Sequence, residues 1–546
     1  MDLPVNLLIL GWTGFLTGLD PGNGKGYRRL CYNRGIHRLH PSVFQLLPTF
    51  IPAAGWMTSL LAFWMGLVVH AATPPLVPPE TLTFPPNPPA SWLTFHLAHP
   101  GWTAPGDPNG AIFWKGRYHL HYIYEGRDGV SWAHVSSRDM VHWKWHPTTL
   151  TTATMGHGLF SGTAFLTREG RPAIIYHGEG SGRNQIAFAE DDFLERWSKP
   201  IPVDPQTDSG GLPDMRHWDP DCWFDNGLYH AISGGKDPHL MTSTDLRHWD
   251  HIGHLLHERM PRLDVPRDED ISCPNMFRLG DQWMLLCLSH WIGSRYYLGR
   301  FEEGRFLPES HGRLNWMCAF QGGDEDADLF APESLQTPDG RRVMWAWSRV
   351  KHRLQGISIQ GSIQCLPREL SLPADGVLRI RPLRELECLR RDSRHERATT
   401  IEPSSRHHLH RISGDTLELR IVLQPGSAQR YGLEVHCDAE GRNGFPISFE
   451  PATQTLSLGE TRIPLTLPSD EDLVLRVFID KSLIEVFAND RVAALSPHRY
   501  GPGNVGISLF SEGAATRVKE LRSWKMRSIY TGQTTFRAAV NRGTGR

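Results

Sequence analysis

At 546 residues the chain is too long for one ordinary core, so two domains are expected. Its 57 basic and 59 acidic residues nearly cancel, which excludes the global field that recruits nucleic acid or an anionic surface. Nineteen Trp, 52 Gly and 41 Pro suggest a turn-rich β protein with aromatic surfaces, because Trp is costly unless it packs a core or stacks on a ligand.

The first 56 residues carry no readable pattern. "WMTSLLAFWMGLVVHAATPP" (56 to 75) is a compact apolar stretch ending in small residues, followed by the Pro-rich spacer "TPPLVPPETLTFPPNPPASW". This is the layout of an export signal, with Val69-His70-Ala71 or the next residue as the cleavage site. Its apolar region is short for a membrane span. A single N-terminal anchor helix is the alternative, since basic residues are sparse just before Met57, itself an alternative start. The expected location is secreted or periplasmic, with membrane anchoring as the variant.

From residue 100 a short pattern recurs. Hairpin turns fall at Lys115-Gly116, Glu169-Gly170, Asn226-Gly227, Gly280-Asp281 and Asp339-Gly340, each followed by an apolar or aromatic strand. They recur roughly every 50 to 60 residues, close to the period of a four-stranded propeller blade. "SRDMVHW", "DDFLERW" and "STDLRHW" keep the same register. Before four of the turns lies an X-Pro step: Asp107-Pro108, Asp219-Pro220, Cys273-Pro274 and Ala331-Pro332; "FSGTA" (160 to 164) takes that place in the remaining blade. First strands of blades line the central channel, so these steps should converge on the axis. Asp-Pro-Asn-Gly alone is good turn chemistry. Within this repeat, Asp107 is expected to share a channel with Asp219.

After residue 385 the texture changes to alternating strands with a tight hairpin at Asp480-Lys481, the pattern of an antiparallel sandwich. The basic run "RRDSRHERATTIEPSSRHHLHR" reads as a solvated linker or entry strand, and its His407, His408 and His410 as surface. His119 and His121 share one strand face and need not be ligands. Eight scattered Cys, with no CxxC pair, read as buried thiols, with one or two disulfides left open. The expected fold is all-β: a five-bladed β-propeller followed by a C-terminal β-sandwich. The expected divisions are 1–92 (extension), 93–384 (propeller), 385–527 (sandwich) and 528–546 (tail).

Six stretches in this order resemble glycoside hydrolase family 32, the invertases, levanases and inulinases that hydrolyse β-fructofuranosides. They are "GDPNGAIFWKGRYHLHYIY", "FSGTAF", "WDPDCWFDNGLYH", "SCPNMFRLGDQWMLLCLSH", "LPRELSL" and "FIDKSLIEVFAND". The resemblance covers about residues 94 to 526 and implies a retaining mechanism. In it, two carboxyl groups flank the glycosidic bond across an oxocarbenium-like transition state. By motif, Asp107 would be the nucleophile and Asp219 the transition-state stabiliser. Asn109, Ser161, Gly162 and Ser272 would line the sugar site, and Trp114, Trp132 and Trp218 would stack on it. Trp102 and Trp291 are further stacking candidates, with packing between blades the alternative use of every Trp.

The departures fall at the site. Ser272 replaces the family's Glu before Cys-Pro, and Trp218 the Arg before Asp-Pro. Gly106 replaces the Asn before the nucleophile, and Ile123-Tyr124-Glu125-Gly126 the Gln-Tyr-Asn-Pro end of the first blade. Asp270 and Glu269 in "PRDEDISCPN" and Glu333 in "APES" are candidate acids, and Arg216 a candidate for the missing Arg. The expected activity is hydrolysis of sucrose, levan or inulin. The alternatives are a furanosidase acting on arabinan-like glycans, or a carbohydrate-binding protein that has lost its general acid. The implied partner is an oligo- or polysaccharide, with no nucleic acid, metal or organic cofactor.

Overall fold

The computed structural model describes residues 82–84, 88–100, 106–126, 129–316, 328–349, 360–424, 426–498 and 501–531. The apolar stretch at 56–75, most of the Pro-rich spacer and Trp102 lie outside them.

Five sheets, antiparallel but for one edge pair in the third, follow one another, each built outward from an inner strand: Pro108–Trp114, Gly158–Leu166, Pro220–Asp225, Ser272–Leu279 and Leu329–Gln336. The expected turns join each inner strand to the second strand of its blade. Lys115 and Gly116, like Asn226 and Gly227, have the paired positive φ of a tight twisted hairpin. The blade of Pro220–Asp225 carries a fifth strand, Pro205–Gln206, on its outer edge.

A girdle of side chains closes the propeller around its axis. It uses the residue at the same place in each inner strand. Asn109 accepts from Gly162 N (2.8 Å), Thr163 donates to Asp221 (2.8 Å) and Asp221 accepts from Met276 N (2.6 Å). Asn275 accepts from Ser334 N (2.7 Å), and Glu333 accepts from Ala111 N (2.8 Å), which returns to the first blade. Backbone donors that no ladder satisfies are thus paired between blades.

The sandwich packs a seven-stranded sheet on a six-stranded one. Leu419, Ile421, Leu433, Ile447, Val477 and Val486 form part of the core between them. The basic run supplies three of its strands, Arg390–Glu396, Thr399–Ile401 and Ser405–His408, with His407 and His410 exposed. Among the described residues six cysteines are free thiols, five of them buried.

Two of the quoted stretches meet at the seam between propeller and sandwich. Asp480 accepts from the backbone N–H groups of Thr94, Phe95 and His96 and from His96 Nδ1 (2.8 Å). Glu485 takes His96 Nε2 (3.2 Å), Leu366 N (2.7 Å) and Arg368 (3.0 Å). Burial disfavours the His96 cation, but its bonds to the two carboxylates outweigh this and push it up to about 9. Tyr530 is buried here too, donating to His96 O (2.8 Å), and Tyr530–Thr531 pair with Leu82–Thr83.

Candidate active site

Four of the five inner strands carry an irregularity at the same end: after Asn109, after Leu159, after Ser272 and after Phe330. Such extra residues bend a strand and re-aim its side chains. Cys273 and Ala331, at φ 46° and 47°, hold left-handed conformations there. The X-Pro steps therefore meet around one end of the axis. Asp107 lies just before the first inner strand and Asp219 just before the third.

Asp107 is 8% exposed. Its Oδ2 accepts from Ser161 Oγ (2.9 Å), while Oδ1 is buried without a hydrogen-bond partner among the described residues. Burial, reinforced by the charge of Asp219, pushes Asp107 up to about 6, against the Ser161 bond and the positive charges of His290 and Arg349. Asp219 Oδ2 accepts from Cys273 N (3.1 Å), which the left-handed turn at Cys273 presents to it. Burial raises Asp219 as well, opposed by His290. The site thus brings together two desolvated carboxylates.

The departures from the family pattern have local explanations. A Cβ at Gly106 would come within 2.7 Å of the Trp347 ring, so Trp347 fills the space a side chain would need there. Ile123 holds Asp107 through its backbone, N–H to Asp107 O (2.9 Å), which any residue can do. Trp218 donates from Nε1 to Ser272 Oγ (2.9 Å), and Ser272 donates to Asp270 Oδ1 (2.9 Å). The two replaced positions are therefore bonded to each other. Arg216 stacks its guanidinium on the outer face of Trp218 at 3.9 Å and is exposed. The buried cation acting on Asp107 is Arg349, packed over Phe330 and Trp347 at 4.8 and 5.2 Å, a residue the sequence reading missed.

The candidate acids separate. Glu333 is a girdle residue, with one oxygen on Ala111 N and the other on Asn275 Nδ2 (2.8 Å). Burial pushes it up to about 8 against those donors, but neither oxygen is free to face a sugar. Glu269 accepts from Ser289 Oγ (2.5 Å), and its charge acts on Cys287, Arg295 and Tyr297 in the body of the fourth blade. Asp270 reaches the site but ion-pairs with His290 Nδ1 (2.5 Å) and accepts from His290 N (3.0 Å). Burial raises Asp270, yet these bonds bring it below the usual carboxylate value, so it stays ionised. His290 is the second residue the sequence reading missed.

Of the expected sugar contacts, Ser161, Trp218 and Ser272 are at the site. Asn109 spends its side chain on Gly162 N and Asp107 O (2.7 Å), which makes it a brace. Gly162 has no room for a Cβ, which would lie 2.0 Å from Ile175 O. Trp132 is fully buried, donates to Phe160 O (3.2 Å) and packs between blades against Tyr176. Trp114 lies at the far end of its strand, packed with Ile112, Ala189 and Leu194. Neither faces a sugar, because inter-blade packing takes both rings. Trp291, 55% exposed beside His290, does stand free at the rim. An open cavity of about 600 Å³ at the opposite end of the axis is lined by Phe113, Phe224, Phe277 and Gln336 and contains neither Asp107 nor Asp219.

Residues 98–382 match the model of the glycosyl hydrolases family 32 N-terminal domain, and 385–525 that of the family 32 C terminal. The chain is 29% identical over 473 residues to sucrose-6-phosphate hydrolase of Escherichia coli, covering 79% of this chain and 94% of that relative. It is 26% identical to the levanase of Bacillus subtilis, covering 79% and 69%. Fructan 1-exohydrolase IIa from Cichorium intybus superimposes with a TM-score of 0.67 at 19% identity, covering 81% of this chain and 98% of that one. With a propeller and a sandwich matched in order over most of its length, this chain belongs to the glycosyl hydrolases of family 32.

Proposed function

We propose that this chain hydrolyses β-fructofuranosides with net retention, Asp107 acting as nucleophile and Asp219 as stabiliser. The observation that carries the reading is the buried Oδ1 of Asp107, which has no hydrogen-bond partner among the described residues, beside Asp219. Folding gains nothing from a desolvated carboxylate oxygen left without a donor, and an attacking atom needs a lone pair that no protein donor occupies. Asp107 attacks the anomeric carbon, Ser161 fixes its other oxygen, and Asp219 accepts from ring hydroxyls as positive charge develops on the sugar. Water then releases the fructosyl unit. The relatives named above, a sucrose-6-phosphate hydrolase and a levanase, support this bond type. The substrate class is sucrose, levan or inulin. The apolar stretch at 56–75 supports export, which would bring the site to polymeric substrates.

The test is product release from sucrose, levan, inulin and arabinan by the purified chain and by Asp107→Asn. Release of fructose that vanishes in the variant supports the reading. Release only from arabinan, or none from any of the four, overturns it.

A further inference from the structure

Hydrolysis of a fructoside needs a proton for the departing oxygen, and Ser272 stands where the family pattern places the carboxylic acid. A serine hydroxyl is too weak an acid for this. Nor does Ser272 form a nucleophile–base pair with His290, since its hydroxyl donates to Asp270.

Resting on the fructosidase reading above, we infer that His290, oriented by Asp270, is the proton donor to the leaving group. The fourth blade brings the pair together. Its inner strand pairs Ser272 with Leu288, and the next positions outward set Asp270 against His290. Asp270 takes Nδ1, which leaves Nε2 with no hydrogen-bond partner among the described residues. The side chain is 41% exposed, so a substrate oxygen can reach it. The ring lies 6.5 Å from Trp218 and 5.8 Å from Phe330, close enough to Asp107 and Asp219 for both charges to act on it.

The charges around the ring support the proton's residence. Burial lowers His290, but the Asp270 bond and the charges of Asp270, Asp219 and Asp107 together raise it above its ordinary value. Arg349, over Phe330, is the opposing cation on the Asp107 side, and Glu269 is turned onto Ser289. In the first step Asp107 Oδ1 bonds to the anomeric carbon as the bond to the leaving oxygen breaks. That oxygen takes the proton from Nε2, and His290 becomes neutral. In the second, water attacks the same carbon, gives its proton back to Nε2 and frees Asp107. Asp270 is a positioning residue throughout.

Leaving-group dependence tests this. His290→Gln should lose about 10²- to 10⁴-fold in kcat/KM on the fructoside the native chain releases fastest. On β-fructofuranosyl fluoride, whose leaving group departs without a proton, it should lose less than about tenfold. The alkaline limb of the native pH profile should disappear in His290→Gln, move to lower pH in Asp270→Asn, and stay in place in Glu269→Gln. Equal losses on both substrates, or an alkaline limb that survives His290→Gln, would overturn the assignment while leaving the fructosidase reading intact. A native chain inactive on both substrates would overturn the two together.

Discussion

Asp480 and Glu485 at the seam are fully buried, and all four of their oxygens are engaged by donors from the other domain. Asp107 and Asp219 are nearly as buried, yet one oxygen of Asp107 has no partner among the described residues, and burial drives both carboxyls upward. Glu485, despite the same burial penalty, is held below its ordinary value by Arg368 and His96. The residue types are the same and the environments are opposed. A saturated buried carboxylate is a fastening. One left short of donors raises the energy of the folded state and is kept for what it does to a substrate.

The largest effect that would sharpen this contrast is at Asp107. Asp107→Asn should lower kcat on the order of 10⁴-fold. It should also stabilise the fold at neutral pH. The carboxyl is raised to about 6 in the folded chain, so the native state holds its proton longer than the unfolded chain does. Stability from this group therefore falls as pH rises from about 4, the unfolded value, towards 6. The variant's gain in Tm should be present at pH 7 and absent at pH 4. A variant less stable than the native chain at pH 7 would break the comparison.

At the seam the signs reverse. Glu485→Gln leaves His96 and Arg368 with an uncompensated buried charge and should cost about 3 to 5 kcal/mol of unfolding free energy. Denaturant unfolding would measure it, and activity per folded molecule should not change. The seam also titrates differently from the first blade. His96 is raised, so its stabilisation is full below about pH 6.5 and is lost as pH climbs through about 9. His121 and His134 stack at 4.4 Å inside the first blade, where burial lowers both, His121 to about 4. The unfolded chain binds those protons first, so stability should fall as pH drops from about 6.5 towards 4. The unfolding free energy these histidines contribute should fall on both sides, against the opposite acid-side trend from Asp107, with His96→Gln flattening only the alkaline side. Each arm should be on the order of 1 to 3 kcal/mol.

The architecture was legible because its signals are local. Turn pairs such as Asn226-Gly227 need only neighbouring residues, and their recurrence gives the blades. Asp107 and Asp219 were legible because the X-Pro step repeats with the blade. The acid was not. Continuing the register from the Leu279–Gln282 turn without interruption would set His290 against Ile271. The extra residue at Cys273 shifts the pairing by one and brings Asp270 there instead. Nothing in "ISCPNMF" announces that bulge. Gly106 is similar, because the ring that excludes a side chain there belongs to Trp347, more than two hundred residues away. Nor does indole chemistry tell a packed Trp132 from a rim Trp291. Only the face of the strand or loop decides that.

The smallest effect follows from that last distinction. Trp291 is 55% exposed and makes no ring contact with its neighbours among the described residues, so its removal should cost the fold little. If it stacks on a sugar unit beyond the cleaved bond, Trp291→Ala forfeits about 0.5 to 1.5 kcal/mol of binding. That corresponds to a rise in KM of roughly 2- to 12-fold, with kcat and Tm unchanged. The rise should be larger for an oligosaccharide than for sucrose, since only the longer substrate extends past the site. Trp132→Ala should do the reverse, lowering Tm while leaving KM alone in the fraction that folds. A KM change in Trp132→Ala without loss of stability would mean that the first blade, as well as the rim beside His290, takes part in holding the sugar.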